Sequence, residues 1–474
     1  MFTIEGNSTR LCDGVSRRQF MRVGGLGTLG VALPQLLRSP PSRAAEGSPT
    51  AVSTFGKAKR CILLYMWGGP PHHDTFDMKP DAPTEVRGEF SPIHTNVPGM
   101  FISDHLPLLS QHADKFTVVR SVNHKNGDHI SQCHDMLTGN AYVKTSPIIT
   151  ARPTDHPHYG AVLSHLKPRG NGLPAYVQLP CVLRSNSGKV IPGQHGGFLG
   201  KKYDPFLIDA VPNKPPSQDP TFERFTPSAF RMEGGITVGR LGNRRGLVDT
   251  MNRRFRQLDE SRVLEQFDGV HQEAFSLLSS TKTRQAFDLG SETPERRDRY
   301  GRHTFGQGVL MARRLVEAGV PLVTVYWRNG PVRTDIGWDN HINNFPNLKN
   351  WQLPPVDRAF SALLEDLSAS GMLEDTLVVW MGEFGRSPHI DAGGGRQHWP
   401  QCYSVVMAGG GIRGGELYGA SDEIGAYPAD KPVSPIELGA TIYHLLGLDG
   451  HATIYDHSNR PSHVCRGMPI AGLV

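Results

Sequence analysis

Apolar residues in this chain come in short runs set between stretches rich in glycine and proline. Cys61–Trp67, Phe116–Arg120, Ala175–Cys181, Pro321–Trp327, Thr376–Met381 and Tyr403–Met407 are of strand length and rich in β-branched and aromatic residues. The first, Cys-Ile-Leu-Leu-Tyr-Met-Trp, is apolar throughout and reads as a strand buried on both faces. Elsewhere the apolar period lengthens to that of a helix. Phe305, Val309, Ala312 and Val316 share one helical face closed by Gly319, and Val356, Phe360, Leu363, Leu364 and Leu367 share another closed by Gly371. Ile130–Gly139 reads as a short helix beginning after Asp128. Ser434-Pro435-Ile436-Glu437 is a capping box with proline at the first helical position, and Leu438, Ile442, Leu445 and Leu446 face inward until Gly447. Helix and strand alternate, which predicts an α/β fold with a mostly parallel sheet covered by helices on both faces. Residues 141–235 read as loop-rich, with Val211–Ala229 a surface excursion. Residues 246–288 are heavily charged and helical in period. Together these define an insertion near 205–300 in a single domain spanning 46–474.

The polar residues that matter follow the strands. Thr376–Met381 runs into Gly382, Glu383, Arg386 and His398; Pro321–Trp327 is followed by Asp339 and His341. The first strand turns through Gly68-Gly69-Pro70-Pro71 into Asp74 and Asp77, either of which suits a metal ligand or a turn cap. His124, His129 and His134 recur every five residues, a spacing that does not put all three on one helical face. Ligand crevices in α/β proteins lie at the carboxyl ends of the strands. Carboxylate plus imidazole at such ends suits divalent ions, one or two of them among Zn, Ca, Mg and Mn. Arg386, or Arg396 beside His398, suits bidentate holding of a phosphate or sulfate oxygen. The plainer alternative is that Glu383 and Arg386 pair only with each other. The Gly-rich turn at 408–415 matches no phosphate-loop pattern.

Composition narrows the classes. The chain has 474 residues, 38% hydrophobic and 20% charged, with net charge +5 and no Lys/Arg block, which argues against a nucleic-acid-binding arm. Six cysteines without a Cys-x-x-Cys pair give neither a zinc ribbon nor a disulfide framework. Residues 1–45 read as a targeting leader: Ser16-Arg17-Arg18-Gln19-Phe20-Met21 is a twin-arginine signature, ahead of a glycine-rich, weakly apolar stretch and Ser42-Arg43-Ala44-Ala45. The expectation is recognition by the twin-arginine export machinery, a periplasmic or secreted product, and no membrane span in the mature chain.

The leader, MWGGPPHHDTFDMKP, HDMLTG, GWDNH, DTLVVWMGEFGR, GRQHW and AGGGIRGG together resemble the domain of unknown function 1501 family, exported bacterial proteins related to the sulfatase and alkaline phosphatase superfamily. The resemblance implies a three-layer α/β/α sandwich around a metal site acting on phosphate or sulfate esters. The partner it implies is an anionic ester, sulfated or phosphorylated polymers among them. It also implies Asp74, Asp339, His341, Glu383 and His398 as metal ligands. Counting back from Leu137-Thr138-Gly139, the superfamily nucleophile falls on His129, where Ser, Thr or Cys would stand. The modified-cysteine signature of sulfatases is absent, and Phe384 replaces a ligating residue. His129 is therefore read as nucleophile, base, third imidazole ligand or helix cap. Two functions remain open: a metal-dependent ester hydrolase, with His129 and Arg386 as catalytic residues, and a non-catalytic binding protein that keeps the fold and a metal site.

Overall fold

Nine strands form one sheet in the computed structural model, which describes residues 53–143, 149–168, 173–185, 187–212, 222–227, 285–327 and 337–474. The leader and nearly all of the charged segment at 246–288 lie outside the described residues. In chain order the strands are β1 (Arg60–Tyr65), β2 (Phe116–Val122), β3 (Tyr176–Leu179), β4 (Phe206–Pro212), β5 (Phe222–Pro227), β6 (Leu322–Tyr326), β7 (Thr376–Met381), β8 (Tyr403–Ala408) and β9 (Glu416–Tyr418). Their order across the sheet is β9-β2-β8-β7-β1-β6-β3-β4-β5. β1 lies at the centre, parallel to β6 and β7, and only β8 and β5 run against the others.

The longer helices among the described residues are α1 (His129–Thr138), α2 (Tyr159–Leu166), α3 (Thr304–Ala318), α4 (Leu353–Ala369) and α5 (Pro435–Leu445). Alternate residues of β1 feed two cores. Ile62 and Leu64 pack with Phe305 and Val309 of α3 and Val356 and Phe360 of α4. Cys61, Leu63 and Tyr65 pack with Met136 of α1, Val162 of α2 and Leu438 and Ile442 of α5. A strand apolar at every position is what two facing cores require, and the result is the three-layer α/β/α sandwich. The caps behave as the sequence suggests: Asp128 accepts from Ser131 N at the start of α1, Ser434 and Glu437 close the capping box of α5, and Gly319 ends α3 in the left-handed region at φ 110°. Among the described residues no helix is long and apolar enough to cross a membrane.

The region read as loop-rich carries more structure than expected. β4 pairs in parallel with β3 through Val177–Phe206 and Gln178–Leu207 inside the stretch read as loop-rich, then antiparallel with β5, which lies inside what was read as a surface excursion. The short apolar core of β4 is hidden between Pro205 and Pro212. Helix α2 is also in this stretch. His158 caps it, Nδ1 accepting from Gly160 N at 2.9 Å, where the usual Ser, Thr, Asp or Asn signal is lacking.

Candidate metal centre

Four chain segments converge beyond the carboxyl ends of the parallel strands. β1 leads into Gly68 and Gly69, β2 into the loop that starts α1 at His129, β6 into the segment carrying Asp339 and His341, and β7 into Glu383. Just past Glu383 the backbone folds as a two-stranded ribbon, Gly385–Arg386 against His398–Trp399, which returns His398 to the same place.

Asp339 Oδ1 is the common point. His129 Nε2 stands 3.2 Å from it, His341 Nε2 2.9 Å and His398 Nε2 3.1 Å. The two nitrogens of His341 and His398 are themselves 2.9 Å apart. His129, Asp339 and His398 offer ligand atoms that all lie within 4.8 Å of one another. The other nitrogen of each ring is already committed. His398 Nδ1–H donates to Gly127 O at 2.8 Å, His341 Nδ1–H to Gln397 Oε1 at 2.6 Å, and His129 Nδ1–H to Glu383 Oε1 at 2.5 Å. These partners fix the tautomers and leave three Nε2 lone pairs facing a carboxylate oxygen. Acceptors gathered this way repel unless a cation, metal ion or proton, sits among them. The His129, Asp339 and His398 atoms therefore fit a divalent ion, each ring held from behind, with His341 Nε2 beside Asp339 and His398.

The electrostatics agree. Burial alone would lower the pKa of His129, but its hydrogen bonds to Asp339 and Glu383 outweigh this and raise it to about 9. Burial alone would raise that of Asp339, but His129, His398 and the Arg386 charge hold its carboxyl well below the usual carboxylate range. The raised pKa means that a proton on His129, between Asp339 and Glu383, is favoured.

The remaining expected residues are placed differently. Glu383 backs His129, its Oε1 also accepting from Gly68 N at 2.8 Å, while its buried Oε2 has no partner. Asp74 is not brought into the cluster. Its Oδ2 accepts from Arg396 Nε and from Asn344 Nδ2, both at 2.8 Å, and its Oδ1 accepts from Arg396 Nη2 at 2.8 Å. Arg386, expected to meet substrate, is fully buried and committed to the protein: Nε donates to Gly69 O at 3.0 Å, Nη1 to Arg396 O at 3.1 Å, and Nη2 to Gly68 O and Asp339 Oδ1. Cys133, four residues past His129, is buried with its thiol accepting from Tyr65 O–H at 2.9 Å, and burial pushes its pKa well up. Sequence reading did not find Asn344, the Gly68 amide, Gln397 or the Trp67 ring, whose centroid lies 5.1 Å from that of His129. Only Gln397, between Arg396 and His398, carried a positional hint.

A mostly parallel α/β/α sandwich with an imidazole–carboxylate centre at its strand ends defines the class. Residues 58–474 match the model of the family described as "Protein of unknown function (DUF1501)", and the chain belongs to that family. No curated protein matches it. Solved structures similar to it include a sulfatase, PsFucS1 from Pseudoalteromonas sp., at 13% identity, covering 83% of this chain and 68% of that one with a TM-score of 0.37. Another is a protein in the alkaline phosphatase superfamily from Vibrio parahaemolyticus, at 10% identity, 85% and 71% coverage and a TM-score of 0.39. A third is Ps i-CgsB in complex with a neocarrahexaose, at 14% identity, 83% and 72% coverage and a TM-score of 0.39.

Proposed function

We propose that this chain is an exported, metal-dependent hydrolase of anionic esters, phosphate or sulfate. One observation carries the reading: three imidazole Nε2 atoms with fixed tautomers converge on Asp339 Oδ1 at the carboxyl ends of the strands. His129, His341, His398 and Asp339 would hold the ion. Of Zn, Ca, Mg and Mn, a nitrogen-rich set suits zinc best, since calcium and magnesium favour oxygen. The chemistry such an ion would supply there is polarisation of an ester oxygen and acidification of a neighbouring water. The chain's own contribution is orientation: Glu383 and Gly127 fix the rings of His129 and His398, and Arg386 holds Asp339 against the β1 turn. His341 is the most exposed member of the set and the one an anionic ester would meet first.

The second reading, a binding protein without turnover, is favoured by one specific arrangement. The position matching the superfamily nucleophile is His129, and its ring is engaged on both sides, by Glu383 and Asp339. Hydrolysis of aryl phosphate mono- and diesters and aryl sulfate by the ion-loaded protein separates the two. Turnover that is lost in His129→Ala together with the ion identifies His129 as ligand; loss with the ion retained identifies it as base or nucleophile. Ion uptake with no turnover of any ester selects the binding protein.

Ion uptake should depend on pH with a definite sign. His129 has a folded pKa raised from 6.5 to about 9, so its proton stabilises the ion-free protein fully below 6.5, and that stabilisation is lost as pH rises through 9. An incoming ion displaces this proton. Zinc affinity, read by competition with a chromophoric chelator, is expected to rise by up to about tenfold per pH unit between 6.5 and 9. Affinity that stays level over that range would contradict the assignment.

Export is proposed from Arg17 and Arg18. The double replacement Arg17→Lys, Arg18→Lys should leave the precursor in the cytoplasm, as read by fractionation. Undiminished periplasmic accumulation would refute the leader assignment.

A further inference from the structure

We propose that the buried Asp74–Arg396 pair, with Asn344, is the latch that assembles the ion site, and that Asp74 acts as a positioning residue and not as a ligand. The inference rests on the reading of the His129–Asp339–His398 group as a cation site. Asp74, Arg396 and Asn344 are all fully buried. Arg396 meets Asp74 fork to fork, Nε to Oδ2 and Nη2 to Oδ1, both at 2.8 Å. Every other donor of the guanidinium is aimed at backbone: Nη1 at Ser387 O and Pro388 O, and Nη2 also at Val86 O at 2.8 Å.

The pair ties the turn after β1 to two segments that backbone hydrogen bonds already join, Asn343 N–H donating to Gly393 O at 3.1 Å and Asn344 N–H to Gly394 O at 2.9 Å. Asp74 belongs to the turn after β1. Arg396 is two residues before the ligand His398, and its own N–H donates to Asn340 O at 3.0 Å, between the ligands Asp339 and His341. Its carbonyl accepts from Arg386 Nη1 at 3.1 Å, and Arg386 in turn reaches Asp339. Asn344 closes the loop from the far side of the Asp339 segment. The neighbouring backbone is packed to match: a Cβ on Gly395 would stand 1.9 Å from His341 O. A fully buried ion pair is a weak source of net stability, because desolvation offsets the attraction. What this one supplies is a fixed position of the turn after β1 against the paired segments that bear Asp339, His341 and His398.

The test uses the full mature chain and Zn2+ alone, with affinity from chelator competition at a temperature where circular dichroism shows each variant folded. Asp74→Asn and Arg396→Lys are expected to weaken zinc binding about 10–100-fold, the range typical of residues that orient ligands, while the bound stoichiometry at saturating zinc stays that of wild type. Asn344→Ala, which leaves the ion pair in place, should weaken it by a smaller factor and keeps the test available if the other two fail to fold. Folded variants with wild-type zinc affinity overturn the latch and leave the site standing. A lowered saturating stoichiometry in Asp74→Asn overturns it in favour of direct ligation. A wild-type chain that takes up no zinc overturns the reading of the site and the latch with it.

Discussion

Asp339→Ala is expected to abolish specific ion binding, with zinc affinity falling more than about 100-fold, beyond the roughly 10–100-fold typical of residues that only orient a ligand. The reason is geometric. Asp339 Oδ1 is the one atom that His129, His341, His398 and Arg386 all address. Removing it takes away the only carboxylate in the candidate ligand set and leaves three imidazoles without a shared partner. Asp339→Asn keeps an oxygen but no charge, so its affinity should fall between those of wild type and Asp339→Ala. Chelator competition at a mildly alkaline pH measures all three. An Asp339→Ala protein that binds zinc like wild type would mean that the convergence has no bearing on ions.

The largest stability effect is expected from Arg386→Leu, a loss of about 3–5 kcal/mol, as several buried acceptors lose their donor together. Arg386 is fully buried, and its guanidinium satisfies the carbonyls of Gly68, Gly69 and Arg396 as well as the Asp339 carboxylate. Leucine leaves all of these without that donor, and each stranded buried acceptor costs about 1–3 kcal/mol. Arg386→Lys should recover little, because an ammonium cannot present donors in the planar fork these acceptors require. Urea denaturation reads the result; a midpoint unchanged in Arg386→Leu would show that the acceptors find other donors.

Much of the fold was legible because its central strands are apolar on both faces and its helices carry ordinary caps. Cys61–Trp67 and Thr376–Met381 announce themselves this way, and they lie side by side at the sheet centre. β4 was not legible, since its few apolar residues sit between prolines and its pairing with β3 is set by tertiary neighbours. The site divides along similar lines. Asp339, His341 and His398 stand out in sequence because each follows a strand or a glycine turn. The role of Asp74 could not be read, because its partner Arg396 lies 322 residues away and nothing local marks the pair. Arg386 presents the converse case: an arginine after a strand tip suggests substrate contact, and only its complete burial reveals that it binds backbone carbonyls.

The most direct test of the metal centre is a titration of the chelator-stripped protein with Co2+, followed by visible absorption. Coordination by His129, His341, His398 and Asp339 predicts saturable d–d bands that disappear in Asp339→Ala and are displaced by Zn2+. A titration with no saturable bands, or with bands unchanged in Asp339→Ala, would contradict it.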